Sequence, residues 1–333
     1  MASASELATA TAIATETATA TATATTSAPA AGSRPPAVTS RGVPLDTAPE
    51  AFGPLRRSDD AVDDPATLQQ RMAEDGYLFL PGFLDREQVL AARQATLAKL
   101  AAAGHLAPGT DPRLGIASPD TTIKFAPELA EDNEPLRELL YTGRMMEFYR
   151  RFFGEDVLHF TYTWVRAVSP GMGTAPHGDS VFMNRGTSRL YTAWTPLDDI
   201  SWDLGGLIVL ERSHRLDEIM ATYHQQDVDR YCENEADAAL YASGEKSWNG
   251  SLSDDPAELR RQLGLRWVSG EFRAGDLLTF SIYTLHASLD NRTDRIRLSS
   301  DSRYQPASEP ADERWIGEQP IGHGPAAKRG QIC

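Results

Sequence analysis

The sequence predicts a mainly β domain, a sandwich or jelly roll with flanking helices, and three observations lead there. From Leu158 the apolar pattern has a period of two: Phe160, Tyr162 and Trp164 alternate with His159, Thr161 and Thr163, as in a strand with two unlike faces. Further strand-like stretches follow at residues 189–195, 207–210, 276–282 and 295–304, separated by turn clusters such as Gly205-Gly206 and Asp290-Asn291. Ahead of Leu158 the period is helical instead.

In chain order, residues 1–40 are almost entirely Ala, Thr, Ser and Pro, with no large side chains to bury, and are expected to be disordered. They lack the basic start and Leu-rich centre of a secretory signal, so no target is assigned. A Pro-containing linker brings this tail to about residue 60, and the domain is expected over 61–310. Asp64-Pro65 opens a helix that Gly76 closes, Tyr77 to Leu80 is a short strand, and Asp85 with Gln88 caps a long second helix. A third helix is predicted from Pro135 to Gly154. Within the β region, about 216–266 is an acidic insertion too long for an ordinary connection, expected to act as a lid. Residues 311–333 read as a C-terminal tail.

The chain has 333 residues and a net charge of -15, which disfavours a nucleic-acid partner, and no apolar run approaches the length of a membrane span. Its two cysteines, Cys232 and Cys333, make no disulfide framework and no CxxC zinc pattern, which fits a reducing, cytoplasmic setting. No oligomeric state can be assigned from these numbers.

The residues with chemistry are few. His177 and Asp179, two apart, can share one face of an extended segment and present an imidazole beside a carboxylate. Taken alone, such a pair is most often hydrogen-bonded and nothing more. A second imidazole, His286, follows the apolar run 277–282, and two histidines with one carboxylate form the facial triad of non-haem Fe(II) oxygenases. Arg297 shares a polar strand face with Ser299 and Asp301, opposite Ile296 and Leu298; its planar fork suits a carboxylate, where a surface arginine would form only a salt bridge.

With these residues in place, the chain resembles the phytanoyl-CoA dioxygenase-like family of Fe(II)- and 2-oxoglutarate-dependent oxygenases. The likeness runs from about Tyr77 to Pro306. It rests on the run from Gly76 to Leu84, on His177-Gly178-Asp179, on Ala193-Trp194-Thr195-Pro196-Leu197, on Gly205 to Leu210 through Ser213-His214, and on His286-Ala287-Ser288 with Arg297. The resemblance implies a double-stranded β-helix, the cupin-like form of the jelly roll. It also implies that His177, Asp179 and His286 bind Fe(II) and act in catalysis, while Arg297 and Ser288 hold the distal carboxylate of 2-oxoglutarate.

Trp194 resembles an aromatic of the cosubstrate pocket, Lys124 a lysine that reaches the cosubstrate, and Tyr162 lies on the inward face of the first core strand; packing or solvation accounts for each equally well. Arg166, on the face of Tyr162 and Trp164, is a candidate for an anion or for a rim salt bridge. Where the family often has Pro-Gly before Ser-His, this chain has Glu211-Arg212, a change in a turn. His214 reads as structural, and His105, His159, His224 and His323 as ordinary histidines.

The implied reaction consumes O2 and 2-oxoglutarate, releases succinate and CO2, and hydroxylates a small molecule; the carboxylate of Asp179 argues against halogenation. The acidic insertion suggests a neutral or cationic substrate. Two other classes stay open: a cupin-type metalloenzyme such as an isomerase, which has no need of Arg297, and a silent binding protein on the same fold.

Overall fold

The computed structural model describes residues 36–333, so the disorder expected for residues 1–35 falls outside them. Residues 36–60, expected as the end of a disordered tail and a linker, are part of the fold. They form the hairpin of β1 (Thr39–Ser40) and β2 (Val43–Pro44), then β3 (Phe52–Pro54), with Ser40 and Phe52 buried. Such short pieces show no period; distant partners order them, as when the Ser40 hydroxyl donates to the Ser288 carbonyl at 2.8 Å.

The helical region forms largely as its caps dictate. Asp64 accepts the Thr67 N–H at the start of α1 (Pro65–Asp75), and Gly76 ends it at φ 83°. After β4 (Tyr77–Leu80), Asp85 accepts the Gln88 N–H at 2.9 Å to begin α2 (Arg86–Ala102). The third helix is two, α3 (Glu134–Tyr141) and α4 (Gly143–Phe153). The break lies at Thr142, which is extended, and Gly143, whose φ of 50° suits a residue without Cβ.

The strand expected from Leu158 is divided into β5 (Val157–His159) and β6 (Trp164–Val168). Between them the N–H groups of Thr161 and Tyr162 donate to the Trp315 carbonyl at 3.1 and 3.3 Å, so this stretch joins the C-terminal segment and leaves the ladder. Next come β7 (Tyr191–Pro196) and β8 (Leu207–Leu210). The insertion holds α5 (Asp217–Ala221), β9 (Arg230–Cys232), α6 (Ala238–Ser243) and α7 (Pro256–Leu263). The chain finishes with β10 (Trp267–Ser269), β11 (Leu277–Ser281), β12 (His286–Ser288), β13 (Arg297–Pro306) and β14 (Arg329–Gln331).

Two sheets build the core, one ordered β12-β8-β10-β3 and the other β4-β11-β7-β13-β5, with β6 also on β13. Alternation along the strands divides their side chains. Trp194, Leu278 and Phe280 pack with Val209, Val268 and Phe272 between the sheets. Ala193, Leu277 and Leu298 point the other way, onto Leu97, Leu136 and Phe148 of the helices. The result is the double-stranded β-helix, with helices covering the larger sheet.

Residues 311–333 are not a loose tail. Arg314 is fully buried and donates to Asp312 at 2.6 Å, Asp227 at 3.0 Å and Asp229 at 2.8 Å. A guanidinium tolerates such burial only when its donors are matched, as here. Beyond it, β14 lies parallel to β9, and Cys333 is disulfide-bonded to Cys232. Separation in sequence hid this pairing, so the expectation of two unlinked thiols is corrected.

Candidate metal centre

His177 and His286 meet through their backbones: each N–H donates to the other's carbonyl, at 3.0 and 2.9 Å, and the rings lie 4.3 Å apart. The Nδ1–H of His177 donates to the Ala175 carbonyl at 2.8 Å and that of His286 to the Thr284 carbonyl at 3.0 Å. A carbonyl can only accept, so both protons sit on Nδ1 and both Nε2 lone pairs are free. Each Nε2 is 3.8 Å from Asp179 Oδ1.

Asp179 opens a 3-10 turn instead of continuing a strand. Gly178 before it lets the His224 ring pack close, because a Cβ there would meet that ring at 2.6 Å. The carboxylate is divided in its duties. Oδ2 accepts from the Thr192 hydroxyl at 2.5 Å and from Arg303 Nη2 at 3.1 Å, leaving Oδ1 turned to the imidazoles. Burial would raise this carboxyl, but the Arg303 guanidinium and the Thr192 hydroxyl hold it well below the usual range, so it is an anion. Burial, with His286 beside it, pushes His177 down to about 3, which keeps it neutral. Two imidazole Nε2 atoms and one carboxylate oxygen, within 4.8 Å of one another and each side chain fixed from behind, fit a divalent metal of the facial-triad kind.

Beside the triad, His286, Ser288, Trp194 and Arg297 line one small cavity with Leu207 and Phe280. Arg297 is buried and, among the described residues, donates only to the Ser299 hydroxyl, at 2.9 Å; burial pushes it down to about 10. The buried Trp194 indole N–H has no acceptor. Ser288 Oγ accepts the Thr174 N–H at 2.8 Å, which leaves its own proton to give. Unmatched buried donors of this kind fit the carboxylate of an anionic cosubstrate.

A second cavity, about 260 Å³, has apolar walls from Phe125, Trp164, Phe182 and Met183. The insertion adds Asn249 and Ser251, and the C-terminal segment adds His323. Arg166, Thr174 and His177 belong to both cavities. Two expected positions lie elsewhere. Lys124 is exposed and lines neither cavity; the charges it feels are those of Arg41 and Asp290. Tyr162, in the break between β5 and β6, packs on Trp164 and Trp315 at ring distances of 4.6 and 5.2 Å.

His214 is structural, accepting no metal role and bonding the Ala73 carbonyl of α1 at 3.0 Å. His224 and His323 are closer to the centre than ordinary histidines. The first bonds Ser180 at 2.6 Å and the second Asp229 at 2.7 Å. Thr192 and Arg303 were not anticipated, although Arg303 extends the two-residue period of Arg297, Ser299 and Asp301 along β13.

Comparison with known proteins agrees with this geometry. The sequence profile of the family described as Phytanoyl-CoA dioxygenase (PhyH) matches residues 72–299, more than half of the chain. A 1-deoxypentalenic acid 11-beta-hydroxylase of Streptomyces arenae is 27% identical over 258 residues, covering 74% of this chain and 83% of that protein. The non-heme alpha ketoglutarate dependent carbocyclase SnoK from nogalamycin biosynthesis is 20% identical with a TM-score of 0.52, covering 80% of this chain and 91% of its own. The epimerase SnoN, in complex with Fe3+, alpha ketoglutarate and nogalamycin RO, is 21% identical with a TM-score of 0.51, covering 78% and 95%. At such identities the two structures speak for the fold, whereas the profile spans fold and triad together: the chain belongs to the phytanoyl-CoA dioxygenase family of Fe(II)- and 2-oxoglutarate-dependent oxygenases.

Proposed function

We propose that His177, Asp179 and His286 hold Fe(II), that Arg297, Ser288 and Trp194 hold 2-oxoglutarate, and that the enzyme hydroxylates a small molecule bound against Phe125, Trp164 and Phe182. The observation that supports it most is the division of the Asp179 carboxylate, one oxygen fixed by Thr192 and Arg303 and the other free beside two Nε2 atoms. Iron with 2-oxoglutarate and O2, when bound, supplies the oxidising power that takes a hydrogen atom from an unactivated C–H bond, with release of succinate and CO2. The chain's own residues do the rest. Two backbone carbonyls orient the imidazoles, Arg303 and Thr192 orient the carboxylate, and the aromatic walls present the substrate and exclude water. Hydroxylation as the outcome is supported by the hydroxylase relative. Arg297 in the wall, bonded among the described residues to the Ser299 hydroxyl and to no carboxylate, favours a diacid cosubstrate over a cupin-type isomerase, which has no use for it.

We read the insertion over 216–266 as the lid of the substrate cavity. Asn249 and Ser251 support this, as does Tyr223, whose hydroxyl donates to the Gly250 carbonyl at 2.6 Å and accepts the Gly178 N–H at 3.0 Å. Tyr223→Phe is expected to loosen the lid and raise substrate KM about fivefold with iron binding retained; an unchanged KM would sink the lid reading. Among the described residues no helix is long and apolar enough to cross a membrane. A cytoplasmic setting is our reading, since the reaction draws on Fe(II) and 2-oxoglutarate; alkylation of Cys232 and Cys333 in freshly lysed cells tests it, and a fully oxidised pair would count against it.

The central test needs no substrate. Apo-protein titrated with Fe(II) and then 2-oxoglutarate without oxygen is expected to develop the visible charge-transfer absorption of an iron-chelated keto acid, absent in His177→Ala. Metal binding without that absorption would point to a different metalloenzyme.

A further inference from the structure

The two cavities share walls, so their charges can be weighed together. Their fixed charges are Arg166, Arg297 and Arg303 against Asp179 and Asp301. Arg303 is taken by Asp179 at 3.1 Å, and Arg166 Nε by Asp301 Oδ2 at 2.8 Å. His323 is taken by Asp229. On the reading above, the two charges of Fe(II) and the two of the 2-oxoglutarate dianion cancel. One positive charge is left over across the two adjoining cavities, one of which is walled by Phe125, Trp164, Phe182 and Met183.

Arg303 Nε and Nη1 also lack partners but are buried, so the exposed donors free to meet an anion belong to Arg166. Among the described residues it donates only through Nε, and its side chain keeps 25% of its exposure. Pairing with Asp301 on one side and a position 5.2 Å above the Phe125 ring on the other fix its plane. Two parallel terminal N–H groups match a carboxylate or a phosphate, and a carboxylate, with its single charge, is what the leftover charge balances.

We propose that Arg166 anchors the single carboxylate of a compact, otherwise apolar substrate, and so decides which C–H bond faces the metal. This rests on iron and 2-oxoglutarate occupying the site as proposed above. The expectation of a neutral or cationic substrate came from the acidic insertion, but the residues it gives to the cavity, Asn249 and Ser251, carry no charge. At about 260 Å³ the chamber is smaller than the roughly 300–1,000 Å³ typical of drug-sized ligands, which suits a compact substrate.

Three isosteric probes test this: adamantane-1-carboxylate, adamantane-1-carboxamide and 1-adamantylmethylammonium. Each is titrated anaerobically into the enzyme loaded with Fe(II) and 2-oxoglutarate, following the perturbation of the charge-transfer band. The carboxylate is expected to bind about tenfold or more tightly than the carboxamide, and the cation least. Arg166→Gln removes that preference without weakening 2-oxoglutarate, and Arg166→Lys, which keeps the charge, retains most of it. The proposal is overturned if the carboxylate binds no better than the carboxamide, if neither binds, or if the preference survives in Arg166→Gln. It is also overturned if Arg166→Gln instead loses 2-oxoglutarate, which assigns the arginine to the cosubstrate. Absence of the band in the unaltered enzyme overturns the iron and 2-oxoglutarate reading, and this one with it.

Discussion

Asp179→Asn is expected to lose iron-dependent turnover and the anaerobic charge-transfer band, whereas Thr192→Val keeps both at about a tenth to a hundredth of the original activity. The difference follows from how the carboxylate is shared. Oδ1 faces the two Nε2 atoms at 3.8 Å, and Oδ2 accepts from Thr192 and Arg303. Asparagine keeps the shape and the contact with Thr192, so the fold is preserved. It removes the charge that offsets the metal, and it leaves Arg303, buried on the Trp164 face, without its anion. Valine at 192 removes one orienting bond and leaves the ligand itself intact. Iron affinity measured by competition with a chelator separates the two effects. Unchanged affinity in Asp179→Asn would remove the residue from the metal site, and unchanged activity in Thr192→Val would show that Arg303 alone orients it.

Two of the candidate residues were legible because they sit where chain geometry is simple. His286 and Arg297 lie on regular strands whose polar faces stand out against Leu277, Leu278, Ile296 and Leu298. His177 and Asp179 were paired correctly for a partly wrong reason. They do not share a strand face; a bridge to His286 holds the first and a 3-10 turn aims the second. Trp194 and Ser288, taken from the family likeness, do reach the cavity, while Lys124 and Tyr162 do not. Tyr162 misled because its alternation with Phe160 and Trp164 is real, yet the backbone of Thr161 and Tyr162 bonds to Trp315, more than a hundred residues away. The same long-range cause hid the order of residues 36–60, the burial of Arg314 and the Cys232–Cys333 link. Arg303 was within reach: one more step of two along β13 from Asp301 names it.

Arg297→Met is expected to raise the KM for 2-oxoglutarate by about thirtyfold or more, with much of kcat recovered at saturation, and to leave the apo-protein at least as stable as before. The first effect reflects a buried carboxylate left without its fork, a loss of about 2–5 kcal/mol. The second follows from the unliganded state. There Arg297 is 3% exposed, donates to a neutral serine hydroxyl and has no carboxylate bonded to it, though Asp301 is near enough to attract it. Burial disfavours its charged form and pushes it down to about 10, so the guanidinium is charged in both folded and unfolded chains at neutral pH and the burial penalty is felt in full. Methionine fills similar space without that penalty. Calorimetry of the apo-protein with and without 2-oxoglutarate reads both at once: the ligand should raise Tm in the unaltered enzyme and barely move it in the variant. A large fall in the apo Tm would mean instead that Arg297 is a structural residue whose partner is Ser299. Stability given up in the empty protein and regained only when the keto acid enters is what a binding site does and a packing residue does not.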